Sequence, residues 1–92
     1  MKRIIIIALA LLTFANNAKT QDLSKAIQAF SESYTKEAAG NYTEAIAPLK
    51  ASYDQNSYEY NLRLGWLTYL QGQFTESLGY YNKAISIMPY AI

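Results

Sequence analysis

A six-residue pattern occurs twice in this chain at a fixed separation. Residues 40–45 read GNYTEA, and residues 72–77, 32 positions further on, read GQFTES. Each copy has a glycine, then an aromatic residue, a threonine and a glutamate. Glycine is favoured just past the end of a helix, where the backbone takes a left-handed conformation. Threonine followed by glutamate is typical of a helix start. The pattern therefore predicts two helix–turn–helix corners.

Apolar residues at helical spacing lie on both sides of each corner. The first predicted helix covers residues 22–40, with its stripe at Leu23, Ile27, Phe30, Tyr34 and Ala38. The second follows Thr43 as its cap, with its inner face at Ala45, Ile46, Leu49 and Tyr53. The third covers residues 58–71 and has two apolar faces: Leu62, Trp66 and Tyr69 on one, and Tyr60, Leu64 and Leu67 on the other.

The fourth helix is predicted to start at Thr75, which would cap it, and to end at Pro89. Its inner stripe is predicted at Leu78, Tyr81, Ile85 and Met88. The same helix also carries Tyr80 and Ile87, which a monomer would expose together with Met88. We expect such an apolar patch to mark an interface.

The match between the halves extends beyond the corners. When residues 26–57 are overlaid on 58–89, small residues recur at Ser33 and Gly65, Ala45 and Ser77, and Ser52 and Ala84. Bulky residues recur at Ile46 and Leu78, Leu49 and Tyr81, and Tyr53 and Ile85. A period between about 20 and 50 residues is typical of solenoids. The sequence therefore predicts an all-α repeat protein of four helices.

Residues 58–89, YEYNLRLGWLTYLQGQFTESLGYYNKAISIMP, resemble a tetratricopeptide repeat (TPR). The matching positions are Leu64, Gly65, Gly72, Phe74, Tyr81, Ala84 and Pro89. Residues 22–57 resemble a more divergent copy, in which Glu32 and Ser33 replace the Leu-Gly pair. The resemblance implies a right-handed helical-hairpin solenoid of two TPR-like repeats. Residues 90–92 would then be the start of a missing third unit.

The N-terminal residues have the layout of a secretory signal peptide. Lys2 and Arg3 precede a 12-residue apolar run, Ile4 to Ala15, and small residues follow. We predict a signal peptide over residues 1–18, cleaved after Ala15 or Ala18. The product would be exported, to the periplasm of a Gram-negative bacterium and otherwise to the medium. A membrane anchor is the alternative, although a spanning helix needs roughly 20 apolar residues.

Composition narrows the possible functions. The chain has no cysteine and no histidine, so thiol chemistry, disulfides and the commonest general base are excluded. Eight basic and seven acidic residues become six and seven once Lys2 and Arg3 are removed, which does not favour nucleic-acid binding. The carboxylates lie at helix starts and turns rather than in acid–base pairs. We therefore expect no enzyme, no metal and no cofactor.

The TPR resemblance also implies a groove lined by the first helix of each unit. Its predicted residues are Ile27, Phe30, Tyr34 and Glu37 in one unit, and Glu59, Leu62, Trp66 and Tyr69 in the other. Both sets have the spacing i, i+3, i+7, i+10, which is one helical face. Phe30 and Trp66 could instead be ordinary core. Family members that grip a peptide carboxylate use paired Lys and Asn, whereas Arg63 alone stands here, so an apolar or extended ligand is favoured.

These observations predict an exported protein–protein interaction module or scaffold with no chemistry of its own. The partner would be another protein or peptide. Self-association through the fourth helix is a further expectation, because two units are fewer than a stable array usually has. Two alternatives stay open: a truncated N-terminal piece of a longer TPR protein, and a scaffold tethered to the membrane by an uncleaved signal.

Overall fold

The computed structural model describes residues 23–90, which form four helices and no strand. Helix α1 covers residues 23–38, α2 Tyr42–Ala51, α3 Tyr58–Leu70 and α4 Phe74–Ile87. The helices pack as two hairpins, α1 with α2 and α3 with α4. The predicted all-α hairpin fold is thus confirmed. The predicted signal peptide, and residues 91 and 92 of the predicted third unit, lie outside the described residues.

Both glycine corners are present in the structure. Gly40 has φ 79° and Gly72 has φ 80°, the left-handed conformation that side chains disfavour. The Gly40 N–H donates to the Glu37 carbonyl at 2.8 Å, and the Asn41 N–H donates to Lys36 at 2.9 Å. The same two bonds follow Gly72, both at 2.9 Å. Each corner is therefore a Schellman motif, which ends the helix by satisfying its free carbonyls.

The predicted threonine caps are wrong. Helix α2 begins at Tyr42 and α4 at Phe74, so Thr43 and Thr75 lie inside the first turns. The N-cap residues are Asn41 and Gln73, and neither makes a side-chain capping bond among the described residues. The Thr43 hydroxyl instead accepts a hydrogen bond from Gln71 Nε2 at 2.7 Å. It thereby ties the start of α2 to the end of α3.

A side-chain cap does start α3. Residues 54–57 lie in the turn between α2 and α3, in which the Asn56 N–H donates to Asp54 Oδ1 at 2.9 Å. Ser57 then accepts a hydrogen bond from the Tyr60 N–H at 3.3 Å. Such a bond satisfies one of the free donors of the first turn. The loop is therefore ordered by local hydrogen bonds at both of its ends.

The core lies between α1, α2 and α3. Its buried members are Ala29, Ala45, Ile46, Leu49, Tyr60, Leu64 and Leu67. The predicted small residues let the helices approach closely. At Gly65, an added Cβ would lie 3.0 Å from the ring of Tyr81, and Ser77 Oγ donates to the Gly65 carbonyl at 2.7 Å. This close approach sets the packing of α3 on α4.

The predicted inner face of α4 is wrong at three of its four positions, although Tyr81 does pack against Gly65 of α3. Leu78, Ile85 and Met88 are exposed, whereas Tyr80, predicted to be exposed, is half-buried against the core. The residues that α4 buries against α3 are the small Ser77 and Ala84. The apolar stripe points outward because no described helix covers the far side of α4. In α2 the equivalent stripe is covered by α3.

Candidate binding groove

A groove runs along one side of α1 and α3. It consists of two adjoining cavities, of about 440 Å³ and about 310 Å³, within the usual size range of ligand sites. The larger is lined by Phe30, Tyr34, Glu59, Leu62, Arg63, Trp66 and Tyr81. The smaller is lined by Leu23, Ala26, Ile27, Phe30, Ser57, Glu59 and Tyr60. Phe30 and Glu59 belong to both, so the two cavities form one continuous surface.

Six of the eight residues predicted for the groove do line it. They are Ile27, Phe30, Tyr34, Glu59, Leu62 and Trp66. Tyr69 lies outside the cavities but continues the same surface, since its ring stacks on Trp66 with centroids 6.0 Å apart. Glu37 does not line the groove. Its carboxylate forms an ion pair with Arg63 beside the groove wall.

Arg63 is the residue that joins the two hairpins under the groove. Its side chain is 7% exposed, and besides Glu37 it donates from Nη2 to Ser33 Oγ at 3.2 Å. Its guanidinium carbon lies 3.9 Å from the centroid of the Tyr34 ring, a cation–π contact. All three partners belong to α1. The positive charge is therefore committed to the fold and is not free to bind a peptide carboxylate.

Five of the twelve residues that line the groove are aromatic. The Phe30 ring meets the Tyr60 ring edge to face at 5.0 Å, which fixes the floor between the two cavities. At the other end, Trp66 stacks on Tyr69, and the Tyr69 ring lies 5.6 Å from Phe74. Tyr34 and Trp66 stay 57% and 42% exposed. The interpretation of Trp66 as ordinary core is therefore wrong, whereas Phe30 is half-buried and packs against the core.

Glu59 gives the groove its one charge that lacks an ion pair among the described lining residues. It is exposed at the junction of the two cavities. Its Oε2 accepts a hydrogen bond from Ser57 Oγ at 3.2 Å, which orients the carboxylate. At the opposite wall, burial raises the pKa of Tyr81. That phenol stays neutral at physiological pH, so the groove presents apolar walls and a single negative charge.

Six residues that line the groove were not among those predicted, and Tyr81 is the one of them that comes from α4. It belongs to α4, the second helix of its hairpin, and it reaches the cavity because Gly65 leaves room for its ring. The sequence does contain an indication of this contact, namely a glycine in the middle of α3, Gly65, and a bulky aromatic residue in α4, Tyr81. Small and large partners of this kind indicate that one side chain passes across the neighbouring helix.

Within residues 23–90, no group of three or more acidic residues is placed to hold a metal ion. None of the helices in that range combines the length and hydropathy needed to cross a bilayer. Comparisons of the chain with protein-family models, curated proteins and solved structures found no significant match in any of the three. The groove is thus the feature from which a function is argued.

Proposed function

We propose that this chain is an exported, two-unit TPR-like interaction module whose groove binds an extended apolar segment of another protein. The observation that carries the proposal is the continuous groove on α1 and α3, lined by aromatic residues that stay partly exposed. Aromatic side chains are favoured binding anchors because they bury much area at modest cost in conformational entropy. Support for two like units comes from the matching corners at Gly40 and Gly72.

The charges of the groove restrict the ligand. Arg63 is neutralised by Glu37, which leaves Glu59 as the exposed charge at the junction of the cavities. An acidic ligand would therefore meet repulsion without a compensating cation. We infer a segment with two apolar or aromatic side chains, one for each cavity, and a Lys or Arg between them. Such a ligand would act by binding alone, as a scaffold contact without catalysis.

The test is selection of peptides from a displayed random library on the purified exported protein. We expect selected peptides to carry paired apolar residues and one basic residue. Tyr34→Ala and Trp66→Ala should each weaken their binding by at least about 10-fold, roughly 1.4 kcal/mol. Tyr90→Ala is the matched control, since Tyr90 is 99% exposed and far from the cavities in sequence. Peptides that bind all variants equally would refute the groove assignment.

The cellular place of the module is part of the same proposal. The sequence layout of residues 1–18 supports export with removal of the signal. Mass measurement of the protein isolated from the cell envelope or medium tests this. An N-terminus at Asn16 or Lys19 is the expected result. A retained Met1 would favour the membrane-tethered scaffold instead, with the same groove facing its partner.

A further inference from the structure

The exposed side of α4 forms a second apolar surface, which meets the groove at one edge, where the Phe74 ring lies 5.6 Å from that of Tyr69. We define the α4 end face as Phe74, Leu78, Ile85 and Met88, which are 63%, 60%, 44% and 46% exposed. These residues are 4, 7 and 3 positions apart, so they share one side of the helix. Four large apolar side chains in one exposed stripe are unusual on a monomer and mark an interaction surface.

The internal repeat shows what kind of element such a face accepts. Ile46 of α2 lies 32 positions before Leu78, and it is 6% exposed where Leu78 is 60% exposed. Tyr42 and Tyr53, the equivalents of Phe74 and Ile85, are half-buried against the core. The first hairpin is covered by α3 of the second hairpin, which contributes Tyr60, Leu64 and Leu67 to that core. The α4 end face is thus shaped to take an apolar helix face.

The charges of α4 lie away from this face. Glu76 forms an ion pair with Lys50 of α2 at 3.0 Å, and Lys83 reaches Gln55 at 3.4 Å. Both point towards the first hairpin. In the described part of the chain, the α4 end face therefore carries no charge of its own. Two copies of this face could meet without like-charge repulsion.

The opposite end of the molecule cannot serve as the covering helix. The residues of α1 that lie 32 positions before Tyr60, Leu64 and Leu67 are Gln28, Glu32 and Thr35, all of them exposed. If a second copy stacked α1 on α4, Glu32 would take the place that Leu64 occupies at 0% exposure. Burying an unpaired carboxylate there is strongly unfavourable. Head-to-tail growth of an open chain is therefore disfavoured.

We propose that the α4 end face binds the same face of a second copy of this chain, forming a two-fold dimer. A symmetric contact pairs apolar with apolar and leaves the polar α1 ends pointing outward, so assembly stops at two. A helix of 14 residues is about 21 Å long. One such face offers less than the roughly 800 Å² per partner of a standard stable interface. The dimer is therefore a weak one that forms at micromolar concentrations or above.

The test is the molar mass of the exported protein by sedimentation equilibrium, from about 1 μM to about 1 mM. We expect mass to rise with concentration and to level off at that of two chains. Leu78→Glu should weaken association at least about 10-fold, because it buries a charge on both sides of the contact. Ser31→Glu is the control, since it adds the same charge at an exposed position of α1 that lines neither cavity. It should leave association unchanged.

Three results would overturn the proposal. The first is a monomer at every concentration, which would mean that a different partner occupies the face. The second is equal weakening by Leu78→Glu and Ser31→Glu. The third is mass that keeps rising beyond two chains and rises further with Glu32→Leu, which would indicate head-to-tail stacking. Helicity by circular dichroism confirms that each variant is folded. Peptide binding by the groove is a separate readout, so either proposal can fail without the other.

Discussion

The Arg63–Glu37 ion pair offers the sharpest test of what holds the two hairpins together. The Arg63 side chain is 7% exposed and that of Glu37 is 26% exposed, and the pair joins α3 to α1. We consider three variants: Glu37→Met, Arg63→Met and the double variant. Methionine keeps much of the length of either side chain without its charge. Each single variant leaves one charged side chain, Arg63 or Glu37, without its ion-pair partner.

The size of the effect follows from the burial. Removing one partner of a buried pair costs about 3–5 kcal/mol, because the other charge stays unpaired. In Glu37→Met the guanidinium cannot lose its proton, so we expect about 3 kcal/mol, with Ser33 and Tyr34 still in contact. In Arg63→Met the partly exposed carboxylate regains some hydration, so we expect about 2 kcal/mol. In the double variant no charge is buried, and the loss should fall below about 1 kcal/mol.

The assay is urea unfolding followed by circular dichroism. Proteins have roughly 0.05–0.15 kcal/mol of stability per residue, so a loss of 3 kcal/mol would shift the transition strongly. Lys36→Met is the control, because Lys36 pairs with Glu44 at 3.4 Å while both side chains are 41–59% exposed. Its cost should stay below about 1 kcal/mol. Additive single-variant losses in the double variant, or equal losses at Lys36 and Arg63, would refute the reasoning.

Three further predictions concern the corner, the buried polar contacts and alkaline pH. Gly40→Ala should cost about 1 kcal/mol in thermal or urea unfolding, through backbone strain alone, since nothing lies within 4 Å of an added Cβ. Asn61→Ala should cost at least about 2 kcal/mol by urea unfolding, because it leaves the Tyr53 hydroxyl, 2.6 Å from Asn61 Oδ1, and the Gln55 carbonyl without their partner, while the Ser57 carbonyl keeps the Asn61 N–H. Burial raises the pKa of Tyr80 above its ordinary 10.0, and the hydrogen bond to Glu76 raises that of Lys50. Both contributions to stability are complete below about pH 10 and are lost as pH rises, so unfolding titrations should show an alkaline decline that Tyr80→Phe reduces.

The helices and corners were predictable from sequence because they depend on local signals. Glycine at a left-handed position and apolar residues at helical spacing act within a few residues of each other. The caps were not predictable in the same way. Helix α2 starts at Tyr42 rather than after Thr43, and the Tyr42 ring packs against the core. Tertiary packing thus overrides the weaker preference for a threonine cap.

The orientation of α4 could not follow from the repeat alone. The overlay predicts the same environment for Leu78 as for Ile46, but Ile46 is buried because α3 covers it. A periodic pattern gives the face of a helix that is apolar and does not say whether another element lies against it. The same limit applies to Trp66, which is apolar by sequence and still 42% exposed in the fold.

The groove was predictable in outline for a related reason. The spacing of Ile27, Phe30 and Tyr34 places them on one face of α1 whatever the rest of the chain does. The contact between Arg63 and Glu37 depends instead on how α3 lies against α1. Both residues are ordinary surface types, and 26 positions separate them. Only the relative placement of the helices turns them from candidate ligand contacts into a structural pair.

Part of the contact between the hairpins is polar, while several aromatic side chains stay on the surface. Between the hairpins, the buried set includes Ser33, Asn61 and Arg63, each held by hydrogen bonds or an ion pair. On the surface, Tyr34 and Trp66 remain exposed. Hydrogen-bonded contacts fix the angle between units more strictly than apolar packing does, because their geometry is directional. Such contacts would keep the spacing of the two cavities constant while the exposed rings bind. A rigid spacing favours ligands whose two anchors already match it, since less ordering is then needed on binding.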